Sequence, residues 1–180
     1  MSSAVTVNTQ LVELIKTHAV LRGNFTLRSG KTSKFYLDKY RLATQPKILD
    51  QVTTELARLI PTEVEILAGP ELGAVALVAV LSQKLNKPFL IVRKESKDYG
   101  TAKRIEGVFT AGQKIVLVED VLTTGGAVLS AAAVCREVGL DILGIVGILN
   151  RGKGAEENIR AAGIKLLGYL FTEADLGMVE

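Results

Sequence analysis

The sequence predicts an α/β domain with a central, mostly parallel sheet flanked by helices. Three observations carry that prediction. From about residue 64, short β-branched runs alternate with longer helical ones. Those runs are continuously apolar, as strands buried on both faces are. The chain has 180 residues, 48% of them apolar, and no low-complexity tract, so one domain can bury its own core.

Leu11, Leu14 and Ile15 place a helix near 8–20. "NFTLRSGKTSKFYLDKY" reads as two short strands about the turn "RSGK", and Pro46 opens a helix reaching about Ile60. These first residues, about 1–60, are expected to form a small N-terminal hood on a core of about 61–180, all within a single domain spanning 1–180. In the core, "VEILA" (64–68) reads as strand and 72–85 as helix. "PFLIV" (88–92) is strand-like, and a polar segment follows through 114. "IVLV" (115–118) is strand, and 125–138 is helix, stopped by Gly139. "ILGIVGIL" (142–149) is strand, "AEENIRAAG" helix and "IKLLGYL" strand. Ligands of such sheets bind beyond the carboxyl ends of the strands.

Composition narrows the function. A formal charge of +3 is too small to imply nucleic-acid binding. Cys135 is the single cysteine, so no intrachain disulfide forms. With one cysteine and one histidine, no set of the usual zinc ligands is available, and no metal-ligating cluster is expected. His18 reads as structural or solvated, and Cys135 as a small buried residue. "MSSAVTVNTQ" lacks the basic and apolar segments of a signal peptide, and Pro70 and Glu71 interrupt the longest apolar stretch. A soluble, cytoplasmic protein with no membrane contact is the expectation.

The most informative stretch is "IVLVEDVLTTGGA", residues 115–127. A strand runs into two adjacent carboxylates, Glu119 and Asp120, which repel one another and lose hydration near a core. Val121, Leu122, Thr123, Thr124, Gly125, Gly126 and Ala127 then lead into a helix whose first N–H groups have no internal partner. Such a helix start attracts phosphate, and carboxylates accept hydrogen bonds from a ribose diol. A 5-phosphorylated ribose answers both halves. The plainer reading is a strand–loop–helix turn in which Asp120 caps backbone groups. The G-x-x-x-x-G-K-[ST] and strand-linked G-x-G-x-x-G phosphate motifs are absent.

These thirteen residues closely resemble the 5-phosphoribosyl diphosphate (PRPP) signature of the type I phosphoribosyltransferases. The resemblance implies that family's fold, with Glu119 and Asp120 on the ribose hydroxyls and 121–127 on the 5-phosphate. A second segment, "RKESKDYGT", is similar to the mobile loop of orotate phosphoribosyltransferases, where "RKExKxHG" is common. Arg93, Lys94 and Lys97 match, and Tyr99 stands where many members carry His. By that resemblance these residues bind PRPP. Lys97 acts catalytically with Asp120, and Lys94 and Tyr99 reach the neighbouring subunit of a homodimer. Read alone, the charge run is a solvated hairpin or a cationic lid over a departing diphosphate.

Arg151 in "GILNRGKGA" matches an arginine that binds the orotate carboxylate in that family. A planar guanidinium suits this task. Thr123 matches an orotate contact, and "LRSGKTSKFYLD" is similar to a segment lying over the base, where Arg28, Tyr36 and Leu37 match orotate-side positions. "GPELGAVAL" resembles the diphosphate-side loop but lacks a lysine that some members carry. Taken over residues 20–177, the resemblance implies magnesium-dependent transfer of ribose 5-phosphate from PRPP to orotate, with magnesium carried mainly by PRPP. The rivals are a transferase for another base and a non-catalytic PRPP-sensing regulator.

Overall fold

The structure is a computed structural model that describes residues 8–26, 30, 32–95 and 104–178. Arg28, Lys97 and Tyr99 lie outside the described residues. Helix α1 (Thr9–His18) is capped by Asn8, whose side chain accepts from the N–H groups of Gln10 and Leu11. The strands β1 (Val20–Thr26) and β2 (Thr32–Leu37) pair antiparallel as a hairpin, with a bulge between Arg22 and Phe25. A short helix α2 (Lys39–Thr44), which the sequence reading did not anticipate, starts at the cap residue Asp38. Gln45 separates it from α3 (Pro46–Ala57), which begins on its proline and ends near the expected boundary.

The core alternates β3 (Ile66–Pro70), α4 (Val75–Leu85), β4 (Phe89–Val92), β5 (Ile105–Glu106), β6 (Lys114–Leu122), α5 (Gly126–Glu137), β7 (Asp141–Asn150), α6 (Ala155–Ala161) and β8 (Leu166–Thr172). Six strands form one sheet in the order β5-β4-β3-β6-β7-β8. All pairings are parallel except that of β5, a two-residue strand found inside the polar segment, which runs antiparallel to β4.

One apolar cluster lies on each face of the sheet. Val116 and Val118 of β6 join Ile15, Val52, Leu56, Leu77 and Leu81 from α1, α3 and α4. Ile115 and Leu117 of the same strand join Val128, Ala132, Cys135 and Ile159 from α5 and α6. Burial on both faces is why β6 reads as an unbroken apolar run. Helices α1, α2 and α3 share the first cluster with the sheet through Ile15, Leu42 and Val52, and Phe35 and Leu37 of the hairpin pack against it.

Two sequence-derived boundaries are corrected. The strand expected at 64–68 is shifted to Ile66–Pro70, because Glu65 donates its N–H to Lys114 from outside the strand. The strand expected to stop at Val118 continues to Leu122, because β7 pairs with it up to Leu122 opposite Asn150. Glu119 and Asp120 therefore lie within β6, three and two residues before its end, rather than just past it. Among the described residues, no helix is long and apolar enough to cross a membrane.

Candidate active site

The carboxyl ends of β3, β4, β6 and β7 gather the candidate residues. Glu119 and Asp120 are each only 6% exposed. Both carboxylates fold back on the backbone: Glu119 Oε1 accepts from the Asp120 N–H at 3.0 Å, and Asp120 Oδ1 accepts from the Val121 N–H at 2.7 Å. Glu119 Oε2 is buried without a hydrogen bond. Burial, and then the charge of Asp120, push the Glu119 carboxyl up to about 8. Glu119 therefore holds its proton more tightly than an ordinary carboxyl, which eases its repulsion with the charge of Asp120.

That charge is met by Lys39, whose Nζ lies 2.8 Å from Asp120 Oδ2. Burial acts to lower the lysine's pKa, but the hydrogen bond and charge of Asp120 outweigh it, and the net shift is upward. Two features thus ease the repulsion between neighbouring carboxylates: the raised proton affinity of Glu119 and the ammonium on Asp120. Gly73 completes the packing. A Cβ there would stand 1.7 Å from Asp120 Oδ2 and 3.0 Å from Lys39 Nζ. The loop between β3 and α4 presses its backbone against the acidic pair, which only glycine permits.

Beyond Leu122, Thr123 and Thr124 are exposed, and Gly125 turns the chain with φ 79° before α5 begins at Gly126. Asn158 of α6 donates to the Thr124 carbonyl at 2.9 Å and steadies this loop from behind. Gly126 and Ala127 are exposed at the helix start, where their N–H groups face outward without intrahelical acceptors. They help line a cavity of about 440 Å³ together with Pro70, Glu71, Arg93, Lys94, Arg104 and Ser130. Three cations and a helix N-terminus converge on this space, a setting for polyphosphate.

The ends of the basic segment are held in place. The Arg93 N–H donates to the Arg104 carbonyl at 2.7 Å, and Arg104 Nη2 donates to the Lys94 carbonyl at 3.1 Å. Glu71 Oε1 accepts from the Lys94 N–H at 2.9 Å, and its Oε2 lies 3.8 Å from Arg93.

Arg151 follows β7 and donates its N–H to the Leu122 carbonyl at 2.9 Å, so its backbone adjoins the 121–127 loop. Its Nε is paired with Glu173 at 2.5 Å. Asn150 turns the chain here: its Oδ1 accepts from the Gly152 N–H, and its Nδ2 donates to Glu156. Tyr36 lies on the hairpin, 44% exposed, with its ring 5.5 Å from that of Phe25. Leu37 packs instead against the apolar cluster under α1 and α3.

The structure therefore gathers Arg93, Lys94, Gly126 and Ala127 around one cavity, places Glu119 and Asp120 in the strand that leads into the 121–127 turn, and sets the Arg151 backbone against Leu122. Sequence reasoning missed Lys39, Gly73, Glu71 and Glu173. A signal for Lys39 existed: a cation directly after the helix-capping Asp38 faces the positive end of a helix and calls for a partner. Glycine at 73 and the two glutamates gave no local signal.

The phosphoribosyl transferase domain family matches residues 40–162. An orotate phosphoribosyltransferase of Pyrococcus horikoshii is 45% identical over 176 residues, covering 93% of this chain and 95% of its own. One from Methanocella arvoryzae is 42% identical over 171 residues, with 94% and 98% covered. The crystal structure of Mycobacterium tuberculosis orotate phosphoribosyltransferase superposes with a TM-score of 0.83 at 29% identity, covering 94% of this chain and 98% of that one. A structure of that enzyme in complex with PRPP gives 0.76 at 28% identity, over 94% and 98%.

Proposed function

The chain belongs to the phosphoribosyltransferases, in their orotate-using branch, and on that premise we propose how its residues transfer ribose 5-phosphate from PRPP to orotate, giving orotidine 5′-phosphate and diphosphate. The observation that carries the assignment of roles is that one turn links two unlike halves. A buried acidic pair near the end of β6 leads through the 123–125 turn to the start of α5, which lines a cavity with three cations.

In this reading the 5-phosphate sits on the loop 123–127, held by free N–H groups and the threonine hydroxyls. The ribose hydroxyls bind Asp120 and Glu119, and Glu119 Oε2 gains the partner it lacks. Arg93, Lys94 and Arg104 face the diphosphate and stabilise the charge that develops as it leaves. Lys97 and Tyr99, outside the described residues, are assigned to the same task from the sequence. Asp120 faces the positive charge growing at the anomeric carbon. Orotate lies toward Arg151. Glu173 engages the guanidinium through Nε, which leaves the terminal Nη edge for a carboxylate. No covalent nucleophile is required: burial raises the Cys135 thiol to about 12, and it lies in the core beneath α5.

The residues fit magnesium as an ion carried by the substrate. Among the described residues, no three carboxylate, histidine or cysteine groups gather to hold one. Bound to PRPP oxygens, magnesium would neutralise diphosphate charge. A homodimer in which Tyr99 serves the neighbouring site, and a cytoplasmic location, complete the proposal on the sequence resemblance; Lys94, expected to reach that site too, lines the cavity of its own chain.

The deciding experiment follows orotate absorbance with PRPP and magnesium, beside uracil, adenine and hypoxanthine. Loss of orotate alone is expected. Turnover of another base would overturn the assignment of Arg151, and PRPP binding without turnover of any base would point to a regulator.

A further inference from the structure

Lys39 is the first residue of α2, a six-residue helix whose N-terminal dipole disfavours a cation there. The position is sustained by Asp120, 2.8 Å away, and by the Tyr40 ring, whose centroid is 5.7 Å from Nζ. The same ammonium borders Gly73, so the hood, β6 and the loop after β3 meet at one charge. Asp120 Oδ1 accepts from the Val121 N–H, and Oδ2, the oxygen that Lys39 holds, is buried beneath Gly73.

Resting on the reading of this site as PRPP-binding, we propose that Lys39 is a positioning residue for the ribose of PRPP, fixing the Asp120 carboxylate and offsetting its charge so that a multiply anionic substrate is admitted beside it. A carboxylate oxygen has room for two donors, so a ribose hydroxyl can join the Val121 N–H on Oδ1 while Lys39 keeps Oδ2. Among the described residues, Lys39 is the cation within salt-bridge distance of Asp120. On the loop beside it, Glu71 is engaged by Lys94 and Arg93 and turns toward the cavity. Without Lys39, PRPP would meet Glu119 and Asp120 with no fixed cation between them. The lysine's side chain is 38% exposed, so replacing it opens no cavity.

The test measures PRPP and ribose 5-phosphate binding by calorimetry, together with steady-state constants and the melting temperature. Lys39→Met is expected to weaken both phosphoribosyl ligands by roughly 10- to 100-fold, the range for losing a charged hydrogen-bond partner. The KM for orotate at saturating PRPP should stay within about twofold, and Lys39→Arg should regain part of the loss. In an Asp120→Asn background, Lys39→Met should add little, because the lysine acts through that carboxylate. Unchanged or tighter binding, or full additivity with Asp120→Asn, would overturn the proposal. So would a lowered melting temperature with equal losses for orotate and PRPP. Failure of the wild-type protein to turn over orotate would sink the functional reading separately, since binding of PRPP and ribose 5-phosphate still decides the role of Lys39.

Discussion

Gly73→Ala tests the site's geometry most directly. The added methyl would stand 1.7 Å from Asp120 Oδ2 and 2.7 Å from its Cγ, where contacts below 3.0 Å essentially do not occur. The loop and the carboxylate must part by more than about an ångström, a misplacement that costs on the order of 100-fold in rate when it reaches catalytic groups. Neither partner yields easily: Asp120 is buried and paired to Lys39, and Ala74 beside Gly73 is fully buried. We therefore expect kcat/KM for PRPP to fall about 100-fold, or about 2.7 kcal/mol of transition-state stabilisation. Overpacking should cost about 1–3 kcal/mol of stability, lowering the melting temperature by roughly 2–4 °C per kcal/mol for a chain of this size. Steady-state orotate consumption and calorimetric melting measure the two effects. A variant within threefold of wild-type kcat/KM would show that the loop and the acidic pair do not act as one unit.

Glu119→Gln addresses the raised proton affinity of Glu119. A carboxyl held near 8 in the folded state, against 4.5 as its ordinary value, contributes stability that is full below about 4.5 and lost as pH rises through 8. Denaturant unfolding should thus show Glu119→Gln gaining on the wild type between pH 5 and 8, and a constant difference across that window would disprove the raised value. Arg151→Ala should raise the KM for orotate by about 10- to 100-fold, the worth of a charged bidentate contact, while calorimetry finds PRPP affinity retained; parallel losses would remove Arg151 from the base side. Lys97→Ala should slow the chemical step by about 2–4 kcal/mol in single-turnover measurements. Mixing it with Asp120→Asn should restore activity through hybrid dimers, and a mixture no better than its components would argue against a shared site.

The sheet and its helices were legible because buried parallel strands leave unbroken apolar runs such as "IVLV" and "ILGIVGIL". The acidic pair and glycine turn were legible because a strand–carboxylate–glycine order is chemically costly without a ligand. Less was visible where the information is nonlocal. The extension of β6 through Glu119 and Asp120 depends on β7 pairing beside it, which no residue of β6 announces. Helix α2 is six residues, too short for periodicity to reveal. Gly73 looks like any loop glycine until Asp120, far along the chain, is brought against it. The Arg151–Glu173 pair joins the ends of β7 and β8, so only the folded sheet makes it.

The bonds between Arg93 and Arg104 and between Arg104 and Lys94 have a consequence for how such an enzyme diversifies. The Arg93 bond joins backbone to backbone, and Lys94 enters both of its bonds through backbone atoms. The side chains of Arg93 and Lys94, which line the cavity, can therefore be exchanged without undoing those bonds. The charge offered to a ligand can drift under selection while the strand ends that carry it stay as they are.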